Sequence, residues 1–221
     1  MARWRLRRIG GSQMESLDDR VQDAGVVAFD FDGTLTTHDS YTAFLKWRAG
    51  PIRYALGLVK LAPAALAYLG HRNRGRIKAA ATREFLAGVT RERLETDARA
   101  FAELMAPRML RPDAVRTWRR WSQRNATLVI VTASPEIIVA PFARGLGAEM
   151  LIGTELAFDA RDRVTGAFAT PNCRGAEKVR RLQAVFGEEV QLRAAYGDTS
   201  GDTEMLAIAD EPGYRVFQEK P

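Results

Sequence analysis

Two aspartates spaced two positions apart are the residues whose types and spacing point most directly to chemistry. Asp30 and Asp32 lie in residues 27–36 (VAFDFDGTLT), after an apolar run and before a Gly33-Thr34 turn. Because residues i and i+2 lie on the same side of a strand, both carboxylates are predicted to reach one point beyond its end. Carboxylates that close raise each other's pKa unless a cation or a shared proton intervenes. The arrangement suits nucleophile-plus-acid chemistry on a phosphate ester, and an ordinary Asp-Gly turn is the alternative.

The chemistry assigns a role to each polar residue. Asp30 is the predicted nucleophile, because a carboxylate can attack phosphorus and split hydrolysis into two easier steps through an aspartyl-phosphate. Asp32 would protonate the leaving oxygen and later take a proton from the attacking water. Because a phosphomonoester is anionic, we expect Mg²⁺ beside the carboxylates of Asp30 and Asp198. Lys178 and the Thr132 hydroxyl are candidates to bind the transferring phosphate group.

Four stretches, in this order along the chain, resemble the signatures of the haloacid dehalogenase-like hydrolase superfamily. The first is FDFDGT, which matches the DxDx[TV] of its phosphatases, and the second is TLVIVT, ending in Thr132. The third is Lys178, which opens a predicted helix after PNCRGAE. The fourth is YGDTSGD, which contains Asp198 and Asp202. The resemblance covers roughly residues 25–217 and is closest to the branch of phosphoserine phosphatases and phosphatidylglycerophosphatase C-like proteins.

The resemblance implies a Mg²⁺-dependent phosphatase and adds residue roles. It implies the backbone carbonyl of Asp32 as a third protein ligand of the metal, and it places Ala133 with Thr132 and Lys178 around the phosphate. It implies that Asp202 supports the metal site or holds the lysine, although Ser200 or Asp202 could instead cap the following helix. Receiver domains, which accept phosphate on aspartate as a switch, are a remote alternative that lacks the DxDGT turn.

Lys178 is predicted in the first turn of a helix. A cation there opposes the helix dipole, so its position does not serve local helix stability. This favours a functional role over the alternative of a solvated surface lysine. Ser134 and Asp39 are candidates for the substrate entrance, although Ser134-Pro135 also resembles a helix N-cap followed by a first-turn proline. His38 is better interpreted as a linker histidine.

The pattern of elements predicts an α/β fold with a doubly wound, mostly parallel sheet and a helical cap inserted after the first strand. We predict a catalytic core at residues 25–38 and 111–221, a helical cap at 39–110, and a flexible basic extension at 1–24. Strands are expected near 26–31, 127–132, 192–197 and 214–217, with a strand pair around FDARDRVTG and a helix at 175–186. Pro141 is expected to kink its helix or delay the start. Asp30, Thr132 and Asp198 then fall at the carboxyl ends of strands, where such sheets bind ligands.

Composition favours a soluble enzyme with a cytoplasmic location. The 221 residues are 46% hydrophobic, enough for one full core and a smaller second one. A single cysteine, Cys173, excludes an internal disulfide framework, and two histidines make a histidine metal site unattractive. We expect no nucleic-acid partner, because no stretch resembles a nucleic-acid module. The oligomeric state is left open.

The predicted cap determines the substrate, and two interpretations of it stay open. Residues 46–76 combine Leu and Ala with many Lys and Arg, and the formal net charge of the chain is +6. One interpretation is an ordinary cap on a phosphatase for phosphoserine or another small metabolite. The other is a cap that contacts the anionic inner face of a membrane, so that the enzyme acts on a phospholipid head group such as phosphatidylglycerophosphate. The basic N-terminus is expected to be a flexible extension, with an anchor on an anionic surface as the alternative. Met14 is an alternative start.

Overall fold

The computed structural model describes residues 24–71 and 74–221, apart from the side chains of residues 63–71 and 74. The predicted basic extension at the N-terminus therefore lies almost wholly outside the described residues.

A five-stranded parallel sheet forms the centre of the molecule. Its strands are β1 (Val26–Phe29), β2 (Thr127–Pro135), β3 (Met150–Thr154), β6 (Leu192–Gly197) and β7 (Ala209–Tyr214). They lie in the order β3-β2-β1-β6-β7, which confirms the predicted α/β class and its mostly parallel sheet. Phe29 of β1 lies between Ile130 of β2 and Tyr196 of β6. The residues just beyond these three positions therefore meet at one edge of the sheet.

Helices cover both faces of the sheet and form the segment between β1 and β2. They are α1 (Ser40–Ala49), α2 (Pro51–His71), α3 (Arg74–Leu86), α4 (Arg91–Met109), α5 (Pro112–Gln123), α6 (Glu136–Leu146), α7 (Ala176–Phe186) and α8 (Thr203–Ala207). Side-chain caps begin two of them: Asp39 accepts from Thr42 N at 2.6 Å, and Thr90 accepts from Arg93 N at 3.3 Å.

Alternation along β1 divides the buried side chains into two layers. Val27 and Phe29 face a large core that includes Trp118 of α5. Val26 and Ala28 face the opposite way, into a smaller core under α7 and α8. Both faces of the sheet are buried, as expected when helices connect parallel strands.

The helical segment α1–α4 leaves and rejoins the sheet through two adjacent linkers. Thr36 pairs with Leu110 in an antiparallel bridge, and Thr37 N donates to Met109 O at 2.8 Å. Arg111 N donates to Leu35 O at 2.9 Å. The linkers pair close to the cap boundaries proposed from the sequence, although the division into two domains itself stays a prediction.

A β-hairpin from the second half of the chain packs against this helical segment. Its strands are β4 (Leu156–Phe158) and β5 (Val164–Phe168). Arg163 pairs with Thr90, and Arg91 forms an ion pair with Asp162 at 2.9 Å. Gly166 has a φ of +87°, and a Cβ there would lie 2.8 Å from the Cα of Arg83 in α3. Glycine therefore permits both the turn and the close approach.

The structure corrects several local predictions. β3 was missed, and the last strand is Ala209–Tyr214 rather than 214–217. Pro141 neither delays nor ends α6, which runs from Glu136 to Leu146. Ser134 is not a helix N-cap, because β2 continues to Pro135 and Pro135 occupies the cap position. Within the described residues, none of the helices has the length and apolar character needed to cross a membrane.

Candidate active site

Three predicted site residues meet at the carboxyl edge of the sheet. Asp30 follows β1 directly, Thr132 lies in β2, and Asp198 follows β6. Asp30 N donates to Tyr196 O at 2.9 Å, which extends the β1–β6 pairing to the aspartate itself. Asp30 is 7% exposed and Thr132 is fully buried, so the edge is a recessed site.

Lys178 lies at the centre of this site, and its ammonium group contacts three oxygen atoms. Its Nζ is 2.6 Å from Asp30 Oδ1 and 2.7 Å from Asp202 Oδ1, and it donates to Val131 O at 2.6 Å. The residue is 1% exposed. Burial alone would lower the pKa of Lys178, but the two carboxylates outweigh it and raise the pKa above the ordinary value. The solvated-surface alternative is therefore wrong.

The surroundings of Asp30 disfavour its charge despite the lysine. Burial is the largest cause and raises the pKa of Asp30 to about 7; Lys178 opposes this rise, while Asp202 and Asp32 add to it. An additional cation at this point would favour the ionised form. A cation bound beside Asp30 would therefore lower the pKa of this carboxyl group.

Asp32 is held by two hydrogen bonds from different parts of the chain. Its Oδ1 accepts from Ser40 N at 2.7 Å, and its Oδ2 accepts from Ser134 Oγ at 2.5 Å. Burial, followed by the charge of Asp39, raises the pKa of Asp32, while the two serines lower it. A carboxyl group with a raised pKa next to a candidate nucleophile is suited to proton transfer.

A tight turn brings Asp198 next to the aspartate pair. Asp32 has φ −76° and ψ 120°, and Gly33 has φ +85° and ψ −21°. These are the angles of the two central residues of a type II turn, which favours glycine as the second of them. A Cβ on Gly33 would clash with the Asp198 carboxylate. Thr34 Oγ1 donates to Asp198 Oδ1 at 3.3 Å. Burial, followed by the charge of Asp202, raises the pKa of Asp198.

Asp202 organises its neighbours. Its Oδ2 accepts from Thr199 N at 2.9 Å, from Thr199 Oγ1 at 3.0 Å and from Asp198 N at 3.2 Å, while its Oδ1 binds Lys178. Burial alone would raise the pKa of Asp202, but Lys178 and Thr199 hold it below the ordinary value. Asp202 occupies the N-cap position of α8 without a side-chain bond to that helix. The capping alternative therefore fails for its side chain.

The acidic cluster fits a hard divalent cation. Ligand oxygens of Asp30, Asp198 and Asp202 lie within 4.8 Å of one another. Since both oxygens of Asp202 already accept hydrogen bonds, Asp30 and Asp198 are the more available pair. Their raised pKa values mark a place where a cation would relieve unfavourable charge, and carboxylate oxygens are the ligands that Mg²⁺ prefers. The carbonyl of Asp32 stays a predicted third ligand.

The loop after Thr132 forms the opposite wall. Thr132 Oγ1 accepts from Ser134 N at 3.0 Å, which leaves its own hydroxyl proton for another acceptor. The carbonyl of Ala133 accepts from Thr154 Oγ1 at 2.9 Å and from Lys78 Nζ at 3.1 Å. These bonds fix the loop, while phosphate binding by Thr132, Ala133 and Lys178 stays a prediction.

The sequence did not predict two groups that contact site residues, and two residues considered from the sequence lie outside the cluster. Lys78 reaches the loop from α3, and the Ser40 amide binds Asp32; neither belongs to a recognisable motif. Asp39 is exposed and caps α1, and exposed His38 contacts Thr37 Oγ1 at 2.7 Å. The structure brings Ser134 into the site, but through Asp32 rather than as a helix cap.

The fold and this cluster together define an α/β protein with an aspartate–lysine cluster at the carboxyl edge of a parallel sheet and a helical segment inserted after the first strand. The match to haloacid dehalogenase-like hydrolases extends over residues 27–207, and the chain belongs to this family. The predicted superfamily and the prediction of an enzyme are thereby confirmed. Protein CicA of Caulobacter vibrioides is 63% identical over 196 residues, covering 89% of this chain and 88% of that protein.

Solved structures with low sequence identity share the fold. A protein of unknown function from Bordetella pertussis Tohama I has a TM-score of 0.71 at 22% identity, covering 85% of this chain and 87% of that one. A substrate-bound phosphoserine phosphatase has a TM-score of 0.59 at 19% identity, covering 86% and 84%. At these identities the likeness concerns the fold.

Proposed function

We propose that this protein is a Mg²⁺-dependent phosphomonoester hydrolase that works through an aspartyl-phosphate intermediate. The observation that carries the proposal is the buried Lys178, which binds Asp30 and Asp202 while Asp32 and Asp198 lie around the same nucleophile. Family membership favours a hydrolase over a receiver-like switch. When bound at Asp30 and Asp198, Mg²⁺ would neutralise negative charge on the substrate phosphate.

In the first step, Asp30 attacks phosphorus. Lys178 holds Oδ1 of Asp30, so Oδ2 is the attacking oxygen. The bond between phosphorus and the ester oxygen breaks, and Asp32 gives its proton to the departing oxygen. Lys178, the Thr132 hydroxyl and the Ala133 amide are the proposed partners of the phosphate oxygens.

In the second step, water attacks the phosphorus of the aspartyl-phosphate. Asp32, now ionised, takes the proton from this water, and the bond between phosphorus and Asp30 breaks to release inorganic phosphate. Ser134 and the Ser40 amide keep Asp32 in one position through both steps. One carboxyl group thus serves as acid and then as base, which its raised pKa supports.

We further propose a lipid-borne phosphomonoester, such as the head group of phosphatidylglycerophosphate, as the substrate. The supporting observation is that α2 exposes Ile52, Leu56 and Val59 to solvent in a segment, residues 40–84, that contains a single acid. Phosphoserine or another small metabolite is the alternative. The fold likeness to a phosphoserine phosphatase and the position of Asp39 near Asp32 speak for it.

Phosphate release tests the chemistry and the substrate together. The protein is incubated with phosphatidylglycerophosphate in mixed micelles, with phosphoserine and with p-nitrophenyl phosphate, in Mg²⁺ and in EDTA. We expect Mg²⁺-dependent release and a preference for the lipid. Asp30→Asn is expected to lower turnover by about a thousandfold or more while circular dichroism stays unchanged, because an amide is not a nucleophile. Undiminished hydrolysis by this variant would overturn the mechanism, and preference for a soluble ester would select the alternative substrate.

A further inference from the structure

Helix α2 presents an apolar surface to solvent. Ile52, Leu56 and Val59 are 78%, 57% and 72% exposed, and Leu58 beside them is 49% exposed. We call Ile52, Leu56 and Val59 the α2 outer face; their spacing of four and three residues places them on one side of the helix. Of the nine large hydrophobic side chains exposed among the described residues, these four lie within eight positions. Such clustering marks an interaction surface rather than scattered exposure.

The opposite side of α2 fixes this orientation. Gly57 is buried against the ring of Phe85 in α3, where a Cβ would clash. Tyr54 stacks on the same ring, with 5.3 Å between the centroids. Since Tyr54 and Gly57 must face α3, the α2 outer face has to point away from the protein. The exposure therefore follows from packing.

The segment of the chain that carries this face is basic. Residues 40–84 contain nine Lys or Arg and a single acid, Glu84. By helical spacing, Arg53 and Lys60 lie along one edge of the α2 outer face. Both form ion pairs with Glu84, Arg53 Nη1 at 2.6 Å and Lys60 Nζ at 3.5 Å. Because one carboxylate is shared by two cations, this edge keeps a net positive charge. An apolar stripe with a cationic border is the pattern of helices that lie in a lipid interface.

We propose that the α2 outer face docks on an anionic lipid bilayer, with Ile52, Leu56 and Val59 entering the head-group region. Two copies of this chain joined through the face would bring like charges together. The first nine residues, with four arginines and no acid, would meet the same repulsion. Charge complementarity thus selects an anionic partner, and exposed aliphatic side chains select lipid.

Docking at α2 lies one helix away from the candidate active site. α2 packs on α3, and Lys78 of α3 contacts the carbonyl of Ala133. Packed helices are separated by about 8–10 Å, so a bilayer on α2 is close to the recessed site. The inference rests on the proposed function only for its purpose, delivery of a lipid-borne phosphomonoester, because docking is measured without catalysis.

The test is co-sedimentation of the full chain with phosphatidylcholine vesicles, with and without phosphatidylglycerol. We expect binding only when phosphatidylglycerol is present, and weaker binding at higher salt. The triple variant Ile52→Gln/Leu56→Gln/Val59→Gln should bind at least about tenfold more weakly. Leu104→Gln/Val185→Gln/Val216→Gln removes exposed apolar groups elsewhere and should bind like the parent.

Several results would overturn docking through α2. They are no binding to phosphatidylglycerol vesicles, equal binding by the α2 triple variant, and binding lost only when the chain starts at Met14. A concentration-dependent dimer that the α2 variant abolishes, without vesicle binding, would assign the face to a second copy.

Kinetics separate this inference from the proposed function. The α2 variant should raise KM for micellar phosphatidylglycerophosphate and leave hydrolysis of p-nitrophenyl phosphate unchanged. Vesicle binding without lipid hydrolysis would keep the docking surface and remove the lipid substrate. Lipid hydrolysis that the α2 variant leaves unchanged would keep the lipid substrate and remove the docking surface.

Discussion

The candidate active site and the α2 outer face depart from ordinary protein architecture in opposite directions. The site buries charge: Lys178 and Asp202 are each 1% exposed. The α2 outer face exposes apolar side chains that a folded chain normally covers. In the site, ion pairs and hydrogen bonds offset the cost of burial inside the protein. On α2, none of the described residues covers the exposed apolar side chains, so a partner is needed to remove them from water. The buried charges of the site are therefore stabilised by groups of the chain itself, whereas the α2 outer face is not covered by any of the described residues.

Replacement of Lys178 is expected to have the largest effect on stability and activity. Lys178→Met leaves the carboxylates of Asp30 and Asp202 buried without their shared cation. We expect a loss of about 3–5 kcal/mol in the free energy of unfolding, together with loss of phosphate release. Urea titration measures the first quantity. The matched change on the other region, Ile52→Gln, should alter stability by no more than about 0.5 kcal/mol. Similar losses in both variants would contradict the distinction.

Asp32→Asn tests whether the second carboxyl group transfers protons. We expect kcat for an alkyl phosphate to fall by about 10²–10⁴-fold, because the leaving oxygen then departs unprotonated. p-Nitrophenyl phosphate has a good leaving group and should be less affected in formation of the aspartyl-phosphate. Burst kinetics with both esters separate that step from hydrolysis of the intermediate. Equal effects on the first step for both leaving groups would leave Asp32 without the role of acid.

Asp198→Ala tests the proposed binding of Mg²⁺ at the site. We expect the Mg²⁺ concentration for half-maximal activity to rise by at least about tenfold, the scale found even for outer partners of metal ligands. A Mg²⁺ titration of phosphate release measures it. Glu189→Ala, which removes an exposed acid, is the control and should leave the titration unchanged. An unaltered titration for Asp198→Ala would remove this residue from the metal site.

Ser134→Ala has the smallest expected effect and concerns pH. The Ser134 hydroxyl donates to Asp32 and favours its ionised form, so its removal should raise the pKa of Asp32 further. Since Asp32 is proposed to act first as a protonated acid, the alkaline limb of the kcat profile should move to higher pH. Ser122→Ala, an exposed serine, should leave the profile in place. A limb that moves to lower pH would contradict the assigned hydrogen bond.

The sequence predicted the parts of the fold whose local pattern is strong. Apolar runs before Asp30, Thr132 and Asp198 specified three parallel strands and the edge where they meet. β7 was misplaced because ADEPGY is an exposed-edge sequence with acids, proline and glycine, whereas the apolar pattern lies in the residues that follow. β3 was missed because its five residues give too short a signal beside the helix before it.

The site was predictable in its residues but not in its connections. Residue types and order indicated Asp30, Asp32, Lys178 and Asp198. The bond of Lys178 to Val131 O, and that of Lys78 to Ala133 O, join residues distant in the chain and depend on tertiary packing. The helix-cap interpretation of Ser134 failed for the same reason, since pairing of Pro135 with Thr154 extends β2 by tertiary contact.

The attachment of the helical segment limits how it can move. The paired linkers at Thr36 and Leu110 join it to the sheet, and the β4–β5 hairpin packs against it. Val164 of this hairpin is buried, and its backbone N and O form hydrogen bonds of 2.8 Å with Val89 O and Gly88 N. A displacement of the helical segment about the linkers would have to break these bonds. A hairpin from the second half of the chain thus restrains a segment that is inserted near its beginning.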